Sequence, residues 1–282
     1  MYKSIAVVGA TGMLGLPVAK EFAREGNSVR IISRDSSKAR DLFKGPRYEF
    51  VEADLFDEES LIPALKGVEA IHINLSGNSP ETYLRNHVEG TKRILGAVDK
   101  SSIKLITMIS TATAYEKNSF RVDTKAKLEA ENLLKNSGIP YITYLPSWFF
   151  ETLNLLVDQE TVSTMCQSTQ PLRWISAQDY AKAVAQSYKL PELFNKRLTL
   201  LGPESFTIAE AADLFAQTKK LGRYHMTESE AWDYAKEVGD DTLLDAVDLL
   251  SYTEKVGEQP EPSTLDHPLT ARTRLSDWLL AN

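Results

Sequence analysis

Three glycines near the start of the chain, Gly9, Gly12 and Gly15, have a spacing that lets a backbone turn approach a phosphate group. They follow the apolar run at residues 5–8 and precede an amphipathic segment, so we expect a turn between a buried strand and a helix. Gly9 would permit the tight turn, Gly12 would leave room for a pyrophosphate, and Gly15 would let the helix pack closely on the sheet. The helix N-terminus would offer free N–H donors to that pyrophosphate. The pattern predicts dinucleotide binding by Gly9, Ala10, Thr11, Gly12, Met13, Leu14 and Gly15.

Arg34 indicates which dinucleotide would bind. It stands at the end of the second predicted strand, where a carboxylate would select NAD by accepting a hydrogen bond from the ribose 2′-hydroxyl. A guanidinium at this position can bind a 2′-phosphate instead. The sequence therefore favours NADP(H) over NAD. Two alternatives stay open: Asp35 itself could meet a ribose hydroxyl, or Arg34 could be a solvated residue at the start of the next helix.

The first half of the chain alternates short β-branched runs with amphipathic stretches, and this rhythm predicts the fold. Strands are predicted at residues 5–8, 29–32, 48–51, 70–75, 103–109 and 141–145, with a further strand at 197–201. Alternating strands and helices form right-handed βαβ units and a parallel sheet. The strands lack apolar–polar alternation, which is typical of a sheet covered by helices on both faces. We predict an α/β fold, a Rossmann doubly wound parallel sheet.

The pattern changes after Pro146 and predicts a second, smaller unit. We assign residues 1–147, with 175–202 returning to the sheet, to a dinucleotide-binding domain. Residues 148–174 and 203–282 would form a mostly helical, substrate-binding subdomain. Several helix starts are indicated by capping residues, namely Asp57, Asp123, and the capping boxes Thr207/Glu210 and Thr227/Glu230.

The composition argues against several classes of function. The formal net charge of −7 disfavours a nucleic-acid partner. The single cysteine, Cys166, rules out a disulfide within the chain, and we interpret it as a buried or semi-exposed thiol in a reducing compartment. The four histidines lack metal-ligand spacing, so no metal is expected. No stretch approaches the ~20 apolar residues that span a membrane. We expect a cytoplasmic monomer or homodimer whose partner is a small-molecule substrate.

The glycine spacing G-x-x-G-x-x-G resembles that of the atypical short-chain dehydrogenases/reductases, in particular their NmrA-like, NAD(P)H-binding branch. That branch includes proteins similar to NADPH:quinone oxidoreductases and to sugar epimerases. Further similar segments are Ser33-Arg34-Asp35, Ala53-Asp54-Leu55, the run from Lys127 through Glu131 to Tyr141, Trp174-Ile175 and Gly202-Pro203-Glu204. The resemblance implies that Asp54 and Leu55 border the adenine, and that Leu75, Ser76 and Gly77 border the nicotinamide half of the cofactor.

The resemblance also implies a catalytic centre, but one that lacks its usual acid. Short-chain reductases use a Tyr-x-x-x-Lys pair, in which the lysine holds the nicotinamide ribose and the tyrosine moves the proton. Lys127 matches the lysine, but Asp123 stands in the place of the tyrosine and is interpreted as a helix cap. Ser110 fits the family's serine position, and Tyr115 could supply a phenol from a neighbouring loop. His72 lies within a strand and is interpreted as a packed core histidine.

Aromatic residues after the sixth predicted strand suggest where a substrate would bind. In related proteins this segment lies along the nicotinamide, which implies cofactor contacts for Pro146 and Phe149. Trp148, Phe149 and Phe150 are candidates for the substrate pocket, although aromatic clusters are more often part of a core.

These residues support one leading function and two alternatives. The leading prediction is an NADP(H)-dependent oxidoreductase that reduces a small apolar or aromatic carbonyl, enone or quinone. Because hydride transfer to a quinone leaves a stabilised anion, a missing tyrosine would be tolerated. The first alternative is a non-catalytic, NAD(P)-sensing regulatory protein. The second is a nucleotide-sugar epimerase or dehydratase, which generally needs the Tyr-x-x-x-Lys pair.

Overall fold

The computed structural model describes residues 2–282 and contains twelve strands and eleven α-helices. The strands are β1 (Ile5–Val8), β2 (Val29–Ser33), β3 (Tyr48–Glu52), β4 (Ala70–Ile73), β5 (Leu105–Ile109), β6 (Tyr141–Pro146), β7 (Val157–Asp158), β8 (Thr161–Met165), β9 (Leu172–Trp174), β10 (Lys196–Leu200), β11 (Glu204–Phe206) and β12 (Gly222–Met226). The helices are α1 (Gly15–Arg24), α2 (Ser36–Leu42), α3 (Glu58–Leu65), α4 (Pro80–Tyr83), α5 (Gly90–Ala97), α6 (Val122–Lys135), α7 (Ala177–Ser187), α8 (Ile208–Lys219), α9 (Glu228–Val238), α10 (Asp241–Val256) and α11 (Leu275–Ala281).

Seven strands form the central sheet, in the order β10-β6-β5-β4-β1-β2-β3. All neighbouring pairs are parallel, with Ile5 of β1 opposite Val29 on one side and Ala70 on the other. The sequence prediction of a Rossmann doubly wound sheet is therefore confirmed. The chain order reverses between β1 and β4, and open parallel sheets bind their ligands at the carboxyl edge of such a reversal.

The residues of β1 show why this strand is uniformly apolar. Ile5 and Val7 pack into a cluster with α1 and α7, whereas Ala6 and Val8 pack into a second cluster with α3, α5 and α6. All four side chains are buried, because the alternating directions of a strand both meet a helical layer.

The helical stretch that follows β4 is interrupted by a wider turn. Ser79 caps α4 in a reciprocal capping box with Thr82, and a π-helical segment, Leu84–Glu89, separates α4 from α5. This segment places Arg85, Asn86 and His87 at the carboxyl edge of the sheet. The periodicity of the sequence predicts the helix but not the wider turn, because one inserted residue barely alters the apolar stripe.

Asp123 does not cap α6, so that prediction is wrong. The capping position is Arg121, and Asp123 lies within the first turn, where its Oδ1 accepts a hydrogen bond from the adjacent Thr124 N–H at 2.6 Å. The predicted caps at Asp57, Thr207 and Thr227 are all confirmed.

The later part of the chain contains more strand than its sequence indicates. The polar stretch before residue 170 forms β7 and β8, and β8 pairs in parallel with β12 from the region predicted as mostly helical. β9 pairs with β11 in a separate small sheet. These strands are two to five residues long and include polar or charged residues, so they lack the apolar run that identifies the central strands. The division at residues 147, 174 and 202 stays a prediction.

Among the helices of the described chain, none combines the length and apolar character that a membrane crossing requires.

Candidate functional site

A cleft of about 1020 Å³ lies at the carboxyl edge of the central sheet, where the strand order reverses. It is lined by the turn after β1, the ends of β2, β4, β5 and β6, and the end of α10. The predicted site residues that line it are Gly9, Thr11, Gly12, Met13, Leu14, Arg34, Asp54, Leu55, Leu75, Ser76, Gly77, Ser110, Lys127, Pro146, Trp148 and Phe149. The fold thus collects in one cavity residues that are widely separated in the sequence.

Each glycine of the turn is needed for a different reason. Gly9 has φ +81°, and a Cβ there would stand 2.1 Å from the carbonyl oxygen of Asn74. A Cβ on Gly15 would stand 2.2 Å from the oxygen of Gly9, so α1 packs directly against the turn. A Cβ on Gly12 would contact only the oxygen of Gly9, at 3.4 Å, because the space beside it is the cleft. Gly15 and the fully buried Ala10 therefore support the turn from behind rather than line the cleft.

Arg34 and Asp35 have separate roles at the end of β2. Asp35 caps α2, and its Oδ1 accepts hydrogen bonds from Lys38 N–H at 3.0 Å and from the Ser37 hydroxyl at 2.7 Å. These hydrogen bonds lower the pKa of Asp35 and hold its side chain in the capping position of α2. The Arg34 side chain is exposed on the cleft wall and forms no ion pair within residues 2–282. Its guanidinium is thus available to an anion.

Asp123 is held as a carboxylate by two cations. Its Oδ1 lies 2.6 Å from Arg121 Nη1, and its Oδ2 lies 3.8 Å from Lys127 Nζ. Burial opposes ionisation of Asp123, but Lys127 and Arg121 outweigh it, so the pKa of this carboxyl falls below its ordinary value. An ionised carboxylate cannot donate a proton. The position that holds the acid in related reductases therefore supplies none in this chain.

Arg121 also ties α6 to the helix that covers the cleft. Its Nη2 lies 2.6 Å from Asp245 Oδ1, and its Nε donates to Asp248 Oδ2 at 2.9 Å. Both aspartates belong to α10, whose residues Leu249 and Thr253 line the cleft. Breaking the contacts of Arg121 would therefore loosen the cover over Lys127.

Ser110 lines the cleft, but its hydroxyl is hydrogen-bonded to a residue outside the cleft. Its Oγ donates to Glu131 Oε1 at 2.6 Å, and Arg197 Nε donates to Glu131 Oε2 at 2.7 Å. Burial raises the pKa of the Glu131 carboxyl, against the opposing effect of Arg197 and of its hydrogen bonds. The family-type serine therefore has a buried carboxyl as its immediate partner.

A sequence profile of the NAD(P)H-binding family matches residues 9–191, which include the glycine turn, Arg34 and Lys127. The chain belongs to this family. The membership confirms the resemblance to the atypical short-chain dehydrogenase/reductase branch and the prediction that a nicotinamide dinucleotide is the cofactor.

The relatives of this NAD(P)H-binding protein include an assembly factor and a reductase. It is 31% identical over 219 residues to the photosystem II assembly factor Ycf39 of Cyanophora paradoxa, which covers 75% of this chain and 67% of that protein. It is 24% identical over 226 residues to an NAD(P)H azoreductase of Xenophilus azovorans, covering 78% and 76% of the two chains.

Two solved structures share the fold of the whole chain. The NADPH-dependent quinone oxidoreductase QOR2 of Escherichia coli, complexed with NADPH, superimposes with a TM-score of 0.78 at 24% identity, over 99% of this chain and 100% of that one. The triphenylmethane reductase of Citrobacter sp., complexed with NADP(H), gives a TM-score of 0.79 at 20% identity, over 99% of both chains.

Besides Ala10 and Gly15, two further predicted site residues lie outside the cleft of this family member. Tyr115 is buried beside a second cavity, where its hydroxyl accepts a hydrogen bond from Glu261 N–H at 3.0 Å, so it cannot serve as the acid of the cleft. Phe150 is fully buried and stacks on Trp174, with ring centroids 6.2 Å apart, so its assignment to the substrate pocket is also wrong. The backbone turn after β6 directs Trp148 and Phe149, but not Phe150, to the cleft.

Among the polar residues of the cleft that sequence reasoning missed, Asn74 and His87 each have a buried atom without a partner in the described chain. Asn74 follows β4, and its Oδ1 is buried with no partner among the described residues. His87 lies in the π-helical segment, where burial and the nearby Lys127 lower its pKa to about 3, and its Nε2 is likewise unpartnered in the described chain. Asn74 could have been found from the sequence, because it is a polar residue directly after a buried strand. His87 could not be found in this way, because the wider turn of the π-helical segment brings it to the cleft. His72 is buried and contacts Thr107 Oγ1 at 2.9 Å, which confirms it as a core histidine.

Proposed function

We propose that this chain is an NADP(H)-dependent reductase of a small apolar or aromatic carbonyl, enone or quinone. The observation that carries the proposal is one continuous cleft. At one end it offers the glycine turn and the unpaired guanidinium of Arg34, and at the other Lys127 and the aromatic wall of Trp148 and Phe149. A nicotinamide dinucleotide needs both ends, one for phosphates and one for the reacting ring.

The residues of the cleft fit NADP(H) along its whole length. The pyrophosphate would lie on the turn from Gly9 to Leu14, and the 2′-phosphate beside Arg34, with Lys38 on the same wall. Asp54 and Leu55 would border the adenine. Leu75, Ser76 and Gly77 would border the nicotinamide half, together with Pro146 and Phe149. Lys127 would hold the nicotinamide ribose. The bound cofactor would supply the hydride.

The substrate end of the cleft suits a small apolar molecule. Trp148, Phe149, Leu155, Leu172 and Leu249 contribute apolar surface around it. Four of these residues, Trp148, Phe149, Leu155 and Leu172, fall in the segment 148–174 that we assign to the substrate-binding subdomain. With Asp123 held as a carboxylate, an acceptor whose reduced anion is intrinsically stable is favoured, and quinones have this property. The azoreductase among the relatives and the quinone oxidoreductase among the solved structures are named for the reduction of azo compounds and of quinones, respectively.

The test is consumption of NADPH by the purified chain with a panel of acceptors. Benzaldehyde, cyclohexenone and menadione represent the carbonyl, enone and quinone classes. We expect the loss of NADPH absorbance to depend on the acceptor, with menadione fastest. NADPH that binds but is consumed with no member of the panel would contradict the proposal.

A regulatory role is the second candidate, and two observations favour it. Asp123 replaces the usual acid by an ion-paired carboxylate, and the relative that is 31% identical is named as an assembly factor. A protein of this kind would bind the dinucleotide tightly without oxidising it. The acceptor panel separates the two roles, because only the reductase consumes NADPH. The epimerase alternative has no comparable support, since it requires the tyrosine that this chain lacks.

A further inference from the structure

The wall between β5 and α6 separates the cleft from a second cavity of about 460 Å³. Ser110 lines the cleft, and Glu131 lines the second cavity. The two side chains meet inside the wall, where Ser110 Oγ lies 2.6 Å from Glu131 Oε1. A single hydrogen bond therefore connects two cavities that open in different places on the surface.

The second cavity can supply protons from solvent. Exposed side chains, among them Lys117, Asn132 and Lys135, contribute to its lining. Thr143 also lines it, and its buried Oγ1 has no hydrogen-bond partner among residues 2–282. A buried hydroxyl without a protein partner is normally satisfied by a water molecule, so the cavity offers a place for water near Glu131.

We propose that Glu131 and Ser110 form a proton relay, which carries a proton from the second cavity to the oxygen of the substrate being reduced. The proposal rests on the proposed function, because it assigns the proton that accompanies the hydride. Ser110 is the catalytic residue, since it lines the cleft, and Glu131 is a positioning residue that acts through it. Together they do the work of the tyrosine that Asp123 replaces.

The step balances in atoms and electrons. The substrate carbonyl carbon receives a hydride from NADPH, and the electron pair of the C=O π bond moves to the oxygen. That oxygen takes the proton of the Ser110 hydroxyl, while Ser110 Oγ takes the proton of the Glu131 carboxyl. The Glu131 carboxylate regains a proton from solvent in the second cavity. The net reaction converts NADPH, one proton and the carbonyl compound into NADP and the alcohol.

The protonation state of Glu131 decides which way the Ser110 hydroxyl points. When Glu131 is ionised, Ser110 donates to it, as in the present structure. When Glu131 is protonated, it can donate to Ser110 Oγ, which frees the serine proton for the cleft. Burial raises the pKa of Glu131 and so favours the protonated form needed for the relay.

Several charged or titratable groups face Glu131 and shape this equilibrium. Arg197 from β10 and Lys127 on α6 itself favour the carboxylate. Tyr141 from β6 and Tyr115 line the same cavity, and Glu261 lies at its edge. Because the relay requires the acid form of Glu131, turnover should be highest at low pH and fall as pH rises through the pKa of that carboxyl.

The experiment compares Glu131→Gln and Ser110→Ala with Glu129→Gln in the full-length chain. Glu129 is exposed on the same helix and lines neither cavity, so it is the matched control. For each variant, NADPH binding is titrated, and kcat is measured against pH and in heavy water with each of benzaldehyde, cyclohexenone and menadione that the wild type reduces. We expect both relay variants to bind NADPH like the wild type but to lose about 100-fold in kcat with benzaldehyde, the size of effect that general acid catalysis provides, and to lose less with menadione, whose reduced anion is more stable. We also expect them to lose the fall in kcat at high pH and the solvent isotope effect.

Three outcomes separate the possibilities. Wild-type kcat and pH profile in Ser110→Ala and Glu131→Gln, with an active wild-type chain, would overturn the relay and leave the proposed function intact. A wild-type chain that binds NADPH but reduces none of the three acceptors would overturn both. If Glu131→Gln fails to fold because Arg197 has lost its partner, Ser110→Ala decides the question, since it leaves the Glu131–Arg197 pair in place.

Discussion

The Nζ atom of Lys127 lies 3.8 Å from Oδ2 of Asp123, one helical turn before it on α6. The short-chain reductases that this chain resembles use a Tyr-x-x-x-Lys pair, in which the lysine lowers the pKa of the tyrosine. Here the lysine faces a carboxylate that is already ionised, and Arg121 contacts the same carboxylate from the other side. The pair is thus an electrostatic anchor for the start of α6, and it leaves the proton of the reaction to another group.

Replacing Asp123 by Asn should destabilise the protein. The change leaves the buried Arg121 with one carboxylate fewer, and loss of one partner from a buried ion pair costs about 3–5 kcal/mol. We expect the lower end of that range, because Asp245 and Asp248 still contact Arg121. Denaturant unfolding at neutral pH measures the change, with Glu129→Gln as the exposed control. A loss equal to that of the control would contradict the anchor role.

The same variant should alter the acid dependence of stability. Because the pKa of folded Asp123 is below its ordinary value of 3.8, its contribution is complete at pH values above 3.8 and is lost as pH falls through the folded-state value. The gap in melting temperature between wild type and Asp123→Asn should therefore be full at neutral pH and shrink in acid. A gap that stays constant down to the acid end of a thermal-melting series would show that Asp123 is not held ionised.

Replacing Arg34 by Ala should weaken NADPH binding by about tenfold or more, since a charge-assisted phosphate contact is worth about 1.5–3 kcal/mol. NADH lacks the 2′-phosphate, so its affinity should be unchanged. Fluorescence titration of both nucleotides measures the effect, and Arg93→Ala on the exposed face of α5 is the control. Equal losses for NADPH and NADH would remove Arg34 from the phosphate site.

Two glycine substitutions in the turn should have opposite consequences. Gly15→Ala would place a Cβ 2.2 Å from the oxygen of Gly9, so the packing of α1 must change and the melting temperature should fall. Gly12→Ala meets only ordinary contact with protein atoms, so it should keep the wild-type melting temperature but lose NADPH affinity. Thermal melting and nucleotide titration of the two variants give the comparison. Full NADPH affinity in Gly12→Ala would place the pyrophosphate elsewhere.

The sequence predicts the central sheet and the cofactor end of the cleft because their signals are local. β1 is an uninterrupted apolar run that ends at Gly9, and both features are visible within a dozen residues. Arg34 is similarly located by its place after β2. The strands and helices form the parallel sheet that their alternation predicts, and these residues lie together at its carboxyl edge.

The rest of the site depends on partners that are distant in the sequence. Asp is a residue type that often caps helices, but the environment of Asp123 is set by Arg121, which is held in turn by Asp245 and Asp248 on α10. Phe149 and Phe150 are adjacent aromatics, and only the backbone geometry after β6 decides that one lines the cleft and the other the core. Tyr115 lies on the loop that we predicted. Its hydroxyl accepts a hydrogen bond from Glu261 N–H and its ring packs against the guanidinium of Arg197, so it lies beside the second cavity.

Titration of NADPH against the purified full-length chain, followed by the fluorescence of the bound nucleotide, tests whether the cleft binds NADP(H). We expect a saturable signal at one nucleotide per chain, weakened by Arg34→Ala and by Gly12→Ala. A titration without saturation up to millimolar NADPH would contradict the assignment of the cleft.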